Sequence, residues 1–172
     1  MENVCNYVIW MEFDDEYTEF LNKKCKALDE NNIKPGIRPP HLTLTFFKTN
    51  DRDKLIEFIK SFVENNSINI KINSISAFSE GVLFYAPSVT SELLEYHNNF
   101  CKGLCEFGEL SWDLYYPGKW TPHIALTSDL NGSDILKAFS IMREGFEEKE
   151  VGIKRIMISG NGKTNYVYTV QS

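Results

Sequence analysis

The chain is short of histidine, of net positive charge and of long apolar runs, and each shortage excludes something. Three histidines in 172 residues leave few candidates for imidazole chemistry. Eighteen lysines and arginines against 24 aspartates and glutamates give a formal charge of −6. That balance excludes a broad electrostatic grip on long nucleic acid, which needs a basic face. Small anionic substrates and nucleic-acid ends stay compatible with it where basic residues gather locally. The opening residues MENVCNYVIW carry neither a basic n-region nor a long apolar core, so neither a signal peptide nor a membrane span is expected. Four cysteines, Cys5, Cys25, Cys101 and Cys105, are then expected to be free thiols of a cytoplasmic protein. Cys101 and Cys105 stand i, i+4 on an expected helix, as neighbours on one face. No second Cys/His pair is placed to complete a zinc site with them.

What is present is the material of a packed domain: 42% hydrophobic, 24% charged and 13% aromatic residues. Val4 to Phe13 reads as a strand, rich in β-branched and aromatic residues. Tyr17, Phe20, Leu21, Cys25 and Leu28 then recur at helical spacing behind the capping candidates Asp14 and Asp15. NNIKPGIRPP is a loop, the strand HLTLTFF follows, and a helix from about Asp51 turns Leu55, Ile56, Ile59, Phe62 and Val63 inward. INIKINSISAF alternates as a strand and Ser79-Glu80-Gly81 turns it.

The same order then recurs. VLFYA is a strand, and Leu93, His97, Phe100, Cys101 and Leu104 line one side of a helix. A loop over about 108–122 leads to a strand beginning at His123. A helix capped by Ser133 or Asn131 follows, its apolar face expected from Ile135, Phe139, Met142 and Phe146. EVGIKRIMIS, a turn at Gly160-Asn161-Gly162 and TNYVYTVQ close the chain. From His41 to Gly81 is 40 residues and from His123 to Gly162 is 39. With no linker between the halves, residues 1–172 are expected to form a single bilobal domain with approximate repeats 4–81 and 82–172.

Two of the three histidines open strands in the same frame, Pro40-His41-Leu42-Thr43-Leu44 and Pro122-His123-Ile124-Ala125-Leu126. Strand alternation predicts His41, Thr43 and Thr45 on one face, with Leu42, Leu44 and Phe46 on the other. His123, Ala125 and Thr127 likewise share a face. A pseudo-twofold axis would bring both imidazoles and several hydroxyls to one cleft, a general acid/base pair that needs no metal. Hydroxyls two residues along a strand lie about 6–7 Å from the histidine in rise, a spacing suited to phosphate oxygens. His97, among Leu93, Phe100 and Leu104, is expected instead to be a satisfied, partly buried side chain.

The paired Pro-preceded frames His41-Leu42-Thr43-Leu44 and His123-Ile124-Ala125-Leu126 resemble the H-x-(S/T)-x motifs of the two-histidine (2H) phosphoesterase superfamily. That group includes the LigT-like RNA 2′,3′-cyclic phosphodiesterases, also called 2′-5′ RNA ligases. The resemblance spans nearly the whole chain. It implies an α+β fold of two antiparallel or mixed sheets lining a central cleft, with helices outside. It also implies hydrolysis of a 2′,3′-cyclic phosphate on an RNA end or small nucleotide, by a monomer without cofactor or metal. His41 and His123 would be the acid/base pair, the first the acid and the second the base in hydrolysis, with roles exchanged in ligation. Thr43 would bind a phosphate oxygen.

The second motif departs from the pattern at Ala125, where the family carries Ser or Thr. Loss of one donor to a developing oxyanion costs roughly 10²–10³ in rate. Thr127, Lys119 and Arg38 are the candidates to complete the phosphate site, and Tyr115 of the aromatic loop SWDLYYPGKW is a candidate base contact. Ala125 also supports a different reading, a nucleotide-binding module of the same fold with little or no turnover. A metal-dependent hydrolase is the third reading.

Overall fold

The two strand–helix units fold as their apolar periodicities predict, and their strands are then exchanged between sheets. The structure, a computed structural model, describes residues 4–160 and the backbone of 163–169. The first unit supplies β1 (Cys5–Phe13), α1 (Asp15–Glu30), β2 (Leu42–Thr49), α2 (Arg52–Asn65) and β3 (Asn69–Ala77). The second supplies β4 (Leu83–Pro87), α3 (Ser91–Leu104), β5 (Glu109–Leu110), a 3₁₀ turn (Asp113–Tyr115), β6 (Ile124–Ala125), α4 (Gly132–Arg143), β7 (Lys149–Gly160) and β8 (Lys163–Thr169). The turn expected at Gly160-Asn161-Gly162 falls on residues 161 and 162, outside the described residues. No described helix is long and apolar enough to cross a membrane.

Every strand pairing is antiparallel among the described residues. The order is β5-β2-β1-β7-β3-β4-β6, with β8 also on β7. The long strand β7 explains how two sheets become one path. Its first residues, Lys149 to Gly152, pair with β3. Ile153 to Gly160 pair with β1, and Arg155 to Gly160 also with β8. Each unit therefore gives its closing strand to the other: β3 completes the sheet of β4 and β6, and β7 that of β1 and β2.

Helix starts follow the sequence closely. Asp14 caps α1, its Oδ1 accepting from the Tyr17 N–H at 2.8 Å, while Oδ2 accepts from the Gly152 N–H at 3.0 Å. One carboxylate thus fastens the start of α1 to β7. Asp51 and Thr90 cap α2 and α3 in the same way. Asn131 precedes α4 but makes no side-chain capping bond. The buried face of α4 is Ala138 and Met142, whereas Phe139 is exposed and Phe146 lies beyond the helix, stacked on Tyr85 at 4.9 Å. The expected Ile135–Phe139–Met142–Phe146 stripe ran through one exposed position, because small Ala138 provides the close contact that a larger apolar residue was expected to make. Cys101 is buried and Cys105 exposed at the helix cap, so this pair does not share an environment.

His97 sits in the core behind β2, as its apolar neighbours predict. Its Nε2–H donates to the Leu44 carbonyl at 3.0 Å and its ring stacks on Trp120 at 4.0 Å, nearly parallel. Burial pushes its pKa down to about 4, with the Leu44 carbonyl opposing. The folded chain therefore refuses a proton that the unfolded chain accepts near pH 6.5. The stability contributed by neutral His97 is complete above that pH and is lost as the pH falls through the folded value, up to about 3 kcal/mol. Melting midpoints measured from pH 6.5 down to pH 4 should fall more steeply in wild type than in His97→Gln. Equal slopes would show that His97 does not carry this cost.

Candidate active site

Each candidate histidine is held by the residues just before it. Proline lacks an N–H and restricts its predecessor to extended backbone, and in both motifs this turns the carbonyl two residues back toward the imidazole. The Nδ1–H of His41 donates to the Pro39 carbonyl at 2.8 Å, and that of His123 to the Thr121 carbonyl at 2.7 Å. A carbonyl only accepts, so Nδ1 carries the proton in both rings and Nε2 is left for other partners. His41 and His123 line one cleft of about 590 Å³. His41 packs on Trp10 at 5.2 Å between ring centres, and His123 meets Phe78 at 4.9 Å and Phe84 at 5.4 Å.

Burial pushes both imidazoles below their usual pKa of 6.5. For His41 the Pro39 carbonyl and then the charge of Glu12 push back up, and the charge of His123 pushes down. For His123 only the Thr121 carbonyl opposes burial. The pair is thus close enough to be electrostatically linked, in a cleft whose walls are mostly apolar.

Thr43 is half-buried and faces this cleft, and its side chain meets the Tyr115 hydroxyl. Thr45 does not face it. The β1–β2 register slips between Ile9 and Trp10, so that Ile9 opposes Thr45 but Trp10 opposes Thr43. This bulge reverses the alternation after Leu44: Thr45 turns into the core with no exposed surface, and Phe46 turns into the cleft. Phe46 was therefore assigned to the wrong face by strict period-two reasoning.

The other predicted phosphate ligands divide. Arg38 lines the cleft; its Nη2 bonds Asp29 Oδ1 at 3.1 Å, while its buried Nη1 has no hydrogen-bond partner in the structure. Thr127 reaches the same cleft but is 1% exposed, and its Oγ1 accepts from the Leu83 N–H at 2.8 Å. Its hydroxyl ties the segment after β6 to β4, which gives it a structural role. Lys119 is not among the lining residues. Its Nζ turns to Asp113 at 3.1 Å across the 3₁₀ turn, which removes it from the site. Ala125 lines the cleft beside His123 and offers it a methyl.

Tyr115 lines the cleft as predicted, joined there by Phe46 and Trp112. Trp112 stands 4.7 Å from Phe46 and 5.1 Å from Tyr115, with 44% of its surface exposed. Trp112 was missed although it stands in the same aromatic loop; the signal was present, but which ring faces outward depends on the turn. Trp120 is buried against His97, and the Tyr116 hydroxyl donates to the Leu110 carbonyl. The loop bearing Arg38 is laced to the His123 strand by the Gly36 N–H to the Leu126 carbonyl, at 2.9 Å. A Cβ at Gly36 would lie 3.1 Å from Leu126 C and Thr127 O, so any larger residue would press on this backbone contact. Among the described residues no group of three or more His, Cys, Asp or Glu is placed to hold a metal ion.

A family described as "2'-5' RNA ligase superfamily" matches residues 30–161. Among solved structures, E. coli LigT in apo form superposes with a TM-score of 0.60 at 12% identity, covering 98% of this chain and 95% of that one. E. coli LigT complexed with 3'-AMP gives 0.58 at 11% identity, with the same coverage. The LigT complex with ATP gives 0.57 at 12% identity, covering 98% of this chain and 96% of that one. Identities this low show the fold, an α+β two-histidine phosphoesterase fold. No curated protein sequence matches the chain.

Proposed function

From membership of the 2′-5′ RNA ligase superfamily, to which this chain belongs, we propose that it is a metal-independent phosphoesterase that hydrolyses the 2′,3′-cyclic phosphate of an RNA end or small nucleotide. The observation that carries this reading is the matched pair of imidazoles, each fixed through Nδ1–H to the carbonyl two residues back. Both line one cleft with Nε2 left for substrate. One neutral Nε2 takes a proton from water as the water oxygen bonds to phosphorus. The bond from phosphorus to one ribose oxygen breaks, and the protonated Nε2–H of the other imidazole supplies that oxygen with its proton. The product is a phosphomonoester; the charge of the pair is unchanged, and its proton returns to the starting ring through solvent.

The cleft supports a substrate of low charge with a planar group. Arg38 is the one Lys or Arg side chain among its described lining residues, and a cyclic phosphodiester carries a single negative charge. Thr43 and the guanidinium of Arg38 are the donors for its oxygens. Phe46, Trp112 and Tyr115 form an aromatic wall on which a base can stack, a contact worth about 1–3 kcal/mol. The E. coli LigT structures with 3'-AMP and ATP are consistent with a nucleotide in a cleft of this fold.

Ala125 favours a second reading, that of a module which holds such a ligand and turns it over poorly. The methyl of Ala125 and the burial of Thr127, 1% exposed, leave the His123 side short of an accessible donor. Turnover of an oligonucleotide ending in a 2′,3′-cyclic phosphate, measured in EDTA, separates the two. On the enzyme reading wild type is active, and His41→Ala and His123→Ala each lose about 10²–10⁴-fold. Wild type inert toward this substrate would overturn that reading. Ala125→Thr should raise turnover or leave it intact, whereas a module without catalytic competence stays inert with the hydroxyl restored. Because burial lowers both imidazoles, the alkaline limb of kcat/KM should lie below pH 6.5; a limb well above it would contradict the two-histidine assignment.

A further inference from the structure

The two halves of the cleft are alike in how each imidazole is held and unlike in what stands beside it across the sheet. Met11 pairs with Leu42, and Glu12 pairs with Arg155 on the other side of β1. One antiparallel step beyond the Met11–Leu42 pair brings Glu12 alongside His41, on the face that Trp10 shares. The rung reads His41, Glu12, Arg155 across three strands. Glu12 is well fixed there. Its Oε1 accepts from Trp10 Nε1 at 3.3 Å, its Oε2 from Arg155 Nη1 at 3.2 Å, and its side chain is 12% exposed. Trp10 in turn packs against the His41 ring.

The corresponding rung of the other half carries no charge. Ile124 pairs with Tyr85, so the next step places Ala86 beside His123, and Ala86 itself pairs with Ser74. What surrounds His123 instead is aromatic, Phe78 and Phe84. The internal repeat is thus broken at one position that matters electrically: a carboxylate beside one imidazole, a methyl beside the other.

Two imidazoles in an apolar cleft do not both hold protons readily, because each charge opposes the second and burial opposes both. Acid/base chemistry needs one protonated and one neutral ring, and a fixed nearby charge decides which is which. We propose that Glu12 is a positioning residue that biases the single proton of the histidine pair onto His41. His41 then faces the leaving ribose oxygen as the acid and His123 faces water as the base. The chemical roles rest on the phosphodiesterase reading; the bias in protonation does not.

The other charges near His41 do not supply this bias. Arg155 opposes it from β7, one strand further away and already engaged by Glu12. Arg38, on the loop before His41, is also cationic and engages Asp29 of α1. Across the cleft stands His123, whose own charge disfavours a proton on His41. Tyr115 is kept neutral at ordinary pH, its hydroxyl pushed upward by burial. Glu12 is the group whose sign favours an imidazolium at His41, and its charge acts there in that direction.

The test is an NMR titration of the imidazole signals in wild type, Glu12→Gln, Glu12→Asp and Arg155→Gln, with His41 and His123 assigned by replacing each in turn with Asn. The titration of His41 should move down by roughly 0.5–1 pH unit in Glu12→Gln while that of His123 stays or rises slightly. Glu12→Asp should restore most of the difference, and Arg155→Gln should move His41 upward. A purely structural effect would move both variants of the Glu12–Arg155 pair the same way, so opposite shifts guard against simple loosening of the sheet. His41 unmoved in Glu12→Gln, both histidines moving together, or Glu12→Gln and Arg155→Gln shifting His41 in one direction would each overturn the inference. Cyclic phosphate turnover read on the same proteins separates the two claims. Shifts as expected without turnover leave the bias standing and sink the phosphodiesterase reading. Turnover without the shifts does the reverse.

Discussion

The cleft depends on β7, a strand that neither half of the chain can do without. Its opening residues complete the sheet that carries His123, and its remainder completes the sheet that carries His41. Backbone groups of a central strand must be paired on both edges or left unsatisfied, so the two sheets cannot separate at β7 without breaking ladder bonds in both. Asp14 adds to this seam by capping α1 and bonding Gly152 with the same carboxylate. The exchange of closing strands also means that neither sequence repeat contains its own complete sheet. On the phosphodiesterase reading, a shared strand at this seam ties together the two walls that carry the proton-transfer groups.

From the seam inward, the Pro-His frame converts backbone geometry into a choice of tautomer. The carbonyls of Pro39 and Thr121 accept from the Nδ1–H of their imidazoles, so the second nitrogen of each ring is left to the cleft. The loop that presents Arg38 is held against β6 by Gly36 and by Ser128, whose Oγ donates to the Pro35 carbonyl at 2.7 Å. The two motifs are therefore tied to each other as well as to their own strands.

Much of this was legible in the residues. The repeated Pro-His frame named both cleft imidazoles, Asp14 and Asp51 announced their helices, and His97 declared itself structural by its apolar companions. What was not legible turns on local geometry that composition does not encode. A bulge beside Trp10 sends Thr45 inward and Phe46 outward, and strict alternation has no means of placing it. The ordered ladder at His123 is only Ile124–Ala125, too short for a pattern to specify. Lys119 and Trp112 lie in one irregular connection where side-chain direction follows from the 3₁₀ turn; one goes to Asp113 and the other to the cleft. Thr127 shares the predicted face, yet it is buried, its Oγ1 accepting from the Leu83 N–H.

A duplicated scaffold supplies two equivalent histidines, but an acid/base pair must be inequivalent, and the residues that break the symmetry lie outside the imidazoles themselves. They all break it in one direction. The His41 side carries Glu12, Thr43, Arg38 and the Tyr115 hydroxyl; the His123 side carries Ala86, Ala125, Phe78 and Phe84. The cleft as a whole is mostly apolar, Trp10, Phe46 and Trp112 included, but the immediate surroundings of His41 are the more polar. On the phosphodiesterase reading, negative charge develops on the phosphate oxygens and the leaving oxygen, and the surroundings of His41 are where donors and a proton are concentrated. Burial lowers the pKa of His123 with no charged neighbour to oppose it, which favours the neutral state in which it can take a proton from water. Viewed so, Ala125 belongs to the same polarisation as Ala86. The lost hydroxyl weakens the grip on phosphate from that side, and it also removes a dipole from beside the imidazole that most needs to stay uncharged.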